Sequence, residues 1–294
     1  MNAPSDADAL NSLKFGIGQP VPRQEDPTLL RGQGRYTDDL SLPGQAYCVM
    51  VRSQVAHGTL NGVDIEEARG MPGVLGVWTG ADLDAAGYGP LKTMIPVPNR
   101  DGTQMKMPVR PSLATDKVRF VGDPVAFVVA ETLAQAKDAA EAVMVDIDSL
   151  PAVTDSREAA KPGAPIVFDE APGNICVDYC YGDTAKVAEA FAKAAHVTRL
   201  RLASNRIVVC AMEPRSAIGH YDAASDRYTL HAGSQGVFGL KHQMAELLKI
   251  KPSQMRVLTG NVGGSFGMKG SPFPEYAGLF HASKLLGRPV KWTD

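Results

Sequence analysis

Hydrophobic and polar positions change rhythm several times along the chain, and each change predicts an element. Alternation over residues 46–52 predicts a strand, as do the apolar runs at 73–78 and 118–121. The most apolar run, Val125 to Ala130, predicts a buried strand. From 132 to 142 the period lengthens: Leu133, Ala136, Ala140 and Val143 recur at helical spacing, while Gln135, Lys137, Asp138 and Glu141 fall on the wet face. A strand at 143–147 completes a βαβ-like unit. Residues 151–173 are rich in proline, alanine and charge with no sustained period, which marks a connection.

A second rhythm begins at Asn174. Asp183 is placed to cap a helix running to Ala195, with Val187 and Phe191 in its apolar stripe. Strands are predicted at 197–203, 206–212, 216–221 and 227–232, the last two joined as a hairpin by a turn at 222–226. A helix at 238–248 buries Leu240, Met244, Leu247 and Leu248, and a strand at 255–258 leads into a glycine-rich loop. A helix at 274–286 is stopped by Gly287 and Pro289, and a strand starts after it. The fold class is therefore mixed α/β (α+β), divided into a flexible tail at 1–15, an α/β domain at 16–150, a linker at 151–173 and a second domain at 174–294. Val290 and Trp292 have no obvious partner, so another chain is expected to cover them, or the sequence is a fragment.

Composition narrows the function classes. The 294 residues are 44% hydrophobic, and 30 Lys+Arg balance 32 Asp+Glu with no basic run, which argues against nucleic acid as a partner. The amino terminus lacks the marks of an export signal and no apolar stretch is long enough to span a bilayer, so the cytoplasm is the expected location. Four cysteines, Cys48, Cys176, Cys180 and Cys210, could ligate zinc or a cluster. The alternating sequence between Cys176 and Cys180 favours structural thiols instead, leaving the chain without an iron–sulfur cluster of its own. His57 and His242 have no companion at ligand spacing and read as surface or packing residues.

The densest signal is Gly260-Asn261-Val262-Gly263-Gly264-Ser265-Phe266-Gly267-Met268-Lys269-Gly270. Glycine at this density follows a strand either in a tight surface turn or where backbone must approach a ligand. A Walker loop is excluded because Lys269 precedes Gly270 rather than Ser or Thr, and no G-x-G-x-x-G can be laid on these glycines. An anion or pterin cradle built from backbone N–H groups stays open.

Gly263 to Lys269 resembles the glycine-glycine-x-phenylalanine-glycine-x-lysine loop of the xanthine dehydrogenase and aldehyde oxidase family, which includes the aerobic carbon monoxide dehydrogenase large subunits. Met212-Glu213-Pro214-Arg215 and Ser234-Gln235 are similar to two further family segments. So, in order, are 23–26, 34–39, 51–57 and 121–126, a set that covers nearly the whole chain from Gly16. The resemblance implies a hammerhead-like α/β domain followed by the first part of a molybdopterin-binding domain. It implies cofactor contacts at Gln235, Gly263, Gly264, Ser265, Phe266 and Gly267, with Gln235 and Phe266 nearest the molybdenum. Gln235 matches a glutamine whose neutral amide donates to an oxygen on the metal; the alternatives are a water-facing glutamine and, for Phe266, ordinary core packing. Glu213 and Arg215 are expected to organise structure rather than act as an acid/base pair. Ser265 departs from the glycine of many relatives, and Met268 sits at a variable position, so the substrate is not readable.

The implied cofactor is molybdenum-molybdopterin, in the cytosine dinucleotide form. The implied partners are an FAD-binding medium subunit, a [2Fe-2S] small subunit and the carboxy-terminal remainder of the large subunit. The family hydroxylates small substrates (an aldehyde, an N-heterocycle such as a purine, or carbon monoxide) with water as oxygen source, a glutamate acting as base. That glutamate is expected beyond Asp294, which leaves no catalytic residue in this chain and predicts that the chain alone is inactive. A truncated, non-catalytic remnant or assembly module that binds no cofactor is the competing expectation.

Overall fold

The structure, a computed structural model, describes residues 22–92 and 95–294; the tail expected at 1–15 lies outside the described residues. Its centre is strand β5 (Pro124–Ala130), all seven residues of which are buried. With period two, Phe127 and Val129 enter one core, while Ala126 and Val128 enter a second on the opposite face. Covering both faces is what a continuous β-branched run requires, since polar surroundings on either side would leave apolar surface wet.

Among the described residues ten strands form two sheets. The larger takes the order β3 (Val74–Thr79), β5, β1 (Ala46–Arg52), β10 (Val290–Thr293), β7 (Ser216–Asp222), β8 (Arg227–Ala232) and β9 (Met255–Leu258). The smaller takes the order β4 (Lys117–Val118), β2 (Gly58–Asp64) and β6 (Met144–Ser149). Strands from both halves of the chain thus share one sheet. Its central seam is β10, parallel to β1 (Ala46 opposite Val290) and antiparallel to β7 (Trp292 opposite Ala217). This corrects the expectation that β10 lacks a partner: Val290 is fully buried and Trp292 is 3% exposed.

Helix α8 (Pro274–Leu286) packs across the middle of this sheet. Gly219 and Gly278 let it come close: a Cβ on Gly219 would meet Leu279 Cβ at 2.9 Å, and one on Gly278 would meet the Phe127 ring at 3.1 Å. The helix ends where Gly287 turns left-handed at φ 68°. Helix α4 (Leu133–Glu141) is capped by Thr132, whose hydroxyl accepts from the Gln135 N–H at 3.2 Å, and it buries Ala136 and Ala139. The strands before and after α4 fall in different sheets, β5 in the larger and β6 in the smaller. The βαβ-like unit is therefore no parallel pair. β6 pairs instead with β2, a strand that Gly58, Asn61 and Gly62 conceal in the sequence.

Two further predicted strands do not form. Residues 197–203 and 206–212 carry no regular structure, and Leu200, Leu202, Ile207, Val208 and Met212 are 77–96% exposed. A strand needs a neighbour for its N–H and C=O groups, and none is supplied to this stretch among the described residues. Helix α6 (Thr184–Lys193), capped by Asp183 as expected, likewise buries no residue. No helix among the described residues is long and apolar enough to cross a membrane.

Candidate functional site

Strand β9 delivers the chain to the glycine-rich loop, which folds back over Glu213. The Glu213 carboxylate accepts from the Gly263 N–H at 2.8 Å and from the Lys269 ammonium at 2.7 Å, so one side chain ties together both ends of the loop. The backbone reinforces the tie, because the Glu213 N–H donates to Gly263 O at 3.1 Å and Lys269 Nζ donates to Glu213 O at 3.0 Å. Both charges are buried, with side chains 6% and 2% exposed, and each is satisfied by the other and by backbone. Gly263 is needed for this approach: a Cβ there would lie 2.5 Å from Glu213 Cβ.

Between the tied ends the backbone is unusual. Gly264 and Gly267 have φ of 103° and 89°, and Phe266 is itself left-handed at 49°. The Ser265 hydroxyl accepts from the Lys269 N–H at 2.9 Å, and its carbonyl accepts from Met268 at 2.9 Å, which gives the serine at this position a local role. The amides of Gly264, Ser265, Phe266 and Gly267 donate to no acceptor among the described residues. A run of unpaired N–H groups of this kind suits an anionic or hydrogen-bond-accepting ligand. Phe266 is 79% exposed beside them and so is not a core-packing residue.

Gln235 lies against the same loop. Its N–H donates to Lys269 O at 3.1 Å, and its exposed side chain carries Oε1 3.6 Å from the position of a Cβ on Gly270. The structure thus assembles Gln235, Gly263, Gly264, Ser265, Phe266 and Gly267 in one place. It adds Lys269 and the segment 35–37, to which sequence reasoning gave no part in the site. The Arg35 N–H donates to Asn261 Oδ1 at 2.8 Å, Asn261 N–H returns to Arg35 O at 3.0 Å, and the Thr37 N–H reaches Glu213 Oε1 at 3.4 Å.

Glu213 and Arg215 do not pair with each other. Arg215 binds the Asp294 carboxylate at 2.5 Å and lies over the Phe273 and Trp292 rings. Asp294 also lies 3.6 Å from Arg52, which binds Glu275, a residue 1% exposed, at 2.6 Å. Of the two histidines that the sequence singled out, His57 is buried with Nδ1 2.9 Å from Pro151 O, and His242 is a surface residue whose ring lies 4.6 Å from that of the exposed Phe238. All four cysteines are free thiols, and burial pushes Cys48 far up from its ordinary pKa. Among the described residues no group of three or more His, Cys, Asp or Glu could hold a metal ion. The donors that the loop region offers are backbone amides and the neutral side chain of Gln235.

Comparison with known proteins agrees in both halves. The profile of the aldehyde oxidase and xanthine dehydrogenase a/b hammerhead domain matches residues 31–151, and that of the molybdopterin cofactor-binding domain matches residues 167–294. The chain is 37% identical to the nicotine 6-hydroxylase large subunit of Paenarthrobacter nicotinovorans over 95% of its own length and 33% of the relative's. It is 32% identical to the carbon monoxide dehydrogenase large chain of Hydrogenophaga pseudoflava, over 100% and 37% of the two chains. Among solved structures, quinoline 2-oxidoreductase from Pseudomonas putida 86 superposes with a TM-score of 0.83 at 34% identity, covering 96% of this chain and 35% of that one. The chain spans about a third of the length of the relatives it matches.

Proposed function

The chain belongs to the aldehyde oxidase and xanthine dehydrogenase family as a molybdopterin-binding subunit, and on that premise we propose that its glycine-rich loop and Gln235 hold the cofactor of a molybdenum hydroxylase acting on an N-heterocycle. The observation that carries the site assignment is the run of unpaired amides at 264–267 beside Gln235. When bound, the cofactor supplies a two-electron redox centre at which oxygen from water is transferred to the substrate. The residues of this chain do the holding. Amides of the loop donate to the cofactor's acceptor groups, and Gln235 offers a neutral N–H donor that does not compete as a ligand. The exposed Phe266 ring covers the same face and excludes water from it.

The substrate class rests on the relatives named for nicotine and quinoline, whose identities of 37% and 34% exceed the 32% of the carbon monoxide enzyme. We further assign to partners what this chain does not supply: an FAD subunit, a [2Fe-2S] subunit, and the rest of the large subunit with its glutamate base. The cofactor is expected in its cytosine dinucleotide form and the assembly in the cytoplasm. The test is co-expression of the chain with those partners, followed by metal and nucleotide analysis and turnover of quinoline, nicotine, an aldehyde and carbon monoxide. Stoichiometric molybdenum with preference for the heterocycles is the expected result. A preference for carbon monoxide or the aldehyde would refute the substrate class, and an assembly free of molybdenum would refute the site.

A further inference from the structure

We propose that Glu213 is a positioning residue that holds the glycine-rich loop in its ligand-receiving conformation before any ligand arrives. The proposal rests on the reading of that loop as a cofactor cradle. Three donors from two distant parts of the chain converge on one carboxylate: the Gly263 N–H at 2.8 Å and the Lys269 ammonium at 2.7 Å from the two ends of the loop, and the Thr37 N–H at 3.4 Å. Two of them bracket the residues whose amides are free. The third belongs to a segment that is itself anchored, because Lys291 Nζ donates to Asp38 O and Leu40 O, and Thr293 donates to the Asp38 carboxylate.

A loop of this composition would not keep such a shape unaided. Gly264 and Gly267 each gain more conformational freedom on release than any other residue type, and Phe266 is held in a left-handed conformation that costs free energy. The surroundings must over-determine the geometry, and Glu213 is the group that touches both ends. Fixing the amides in advance spares the ligand the entropy of ordering them. An ion pair serving stability alone would not need to accept from Gly263, nor need a residue without a Cβ at 263.

The test compares two variants with the parent chain by amide hydrogen exchange, and with the assembled enzyme by its content of molybdenum and releasable pterin. Glu213→Gln should speed exchange at the hydrogen-bonded amides of Gly263, Met268 and Lys269 by about tenfold or more while the amides of β7 and β8 keep their protection. Glu213→Leu combined with Lys269→Met removes both charges at similar volume, so a purely structural pair would be replaced without consequence. We expect this double variant to regain the parent's melting temperature, yet to keep the fast-exchanging loop and to retain several-fold less pterin. Native loop exchange in the double variant, or a loss of protection spread evenly over the sheet in the single one, would overturn the proposal. If exchange changes as expected but the parent assembly itself holds no pterin, the positioning role stands and the cofactor reading falls.

Discussion

Gln235 and Gly267 separate two kinds of residue effect. Gln235 is exposed and fixed by a backbone bond to Lys269, so Gln235→Ala should leave the melting temperature unchanged. On the proposed role it removes a donor to the cofactor, and turnover or molybdenum content of the assembled enzyme should fall by about 10–100-fold; unchanged values would remove Gln235 from the site. Gly267 is the reverse case. Nothing lies within 4 Å of a Cβ there, but φ is 89°, so Gly267→Ala carries backbone strain alone, about 1–2 kcal/mol, measurable by denaturant unfolding. The glycines and Gln235 were legible because resemblance marks them and because glycine density has few physical uses. The partner of Lys269 was not, since 56 residues separate it from Glu213 and no local pattern reports such a contact.

Among the elements, those specified by local chemistry were readable: α4 from its apolar period, the β7–β8 hairpin from its turn, α8 from its Gly287 stop. What lay beyond the sequence was strand order, because the place of β10 between β1 and β7 depends on contacts more than 70 residues away along the chain (Ser216 Oγ donates to Trp292 O, 76 residues apart). The strands predicted at 197–212 show the converse, an alternating pattern without an edge to join. The seam makes β10 sensitive: Trp292→Ala empties a site that is 3% exposed and should cost about 3–5 kcal/mol by denaturant unfolding. Helix α8 adds a pH dependence through His281, whose ring stands edge-on to Trp78 and Tyr88. Burial holds its pKa below the ordinary 6.5, Lys284 pushes the same way and Asp82 opposes. The unfolded chain therefore binds the proton more readily, so this contribution is intact above about pH 6.5 and is lost as pH falls through the lowered value. Melting temperatures taken from about pH 7.5 to about pH 5 should decline, and His281→Gln should flatten part of that decline; a parallel curve would remove His281 as its source.

At the scale of the whole molecule, the shared seven-stranded sheet and the bare stretch at 182–212 predict opposite responses to attack. Because β1, β3 and β5 pair through β10 with β7, β8 and β9, neither half has a complete sheet without the other. Protection is therefore expected on both sides of an exposed interval. Within that interval, helix α6 turns Val187 and Phe191 to solvent at 53% and 61%, and the following residues expose Leu200, Leu202, Ile207 and Val208. A protease needs about ten residues of accessible backbone with few hydrogen bonds, which this interval offers and the sheet does not. Limited proteolysis of the chain should therefore cut between 182 and 212 and leave two large pieces that stay associated through β10, seen as one species by size exclusion and two by denaturing gel. Pieces that separate after cleavage would contradict the shared sheet, and cleavage at β1 or β5 before 182–212 would contradict the assignment of the exposed interval.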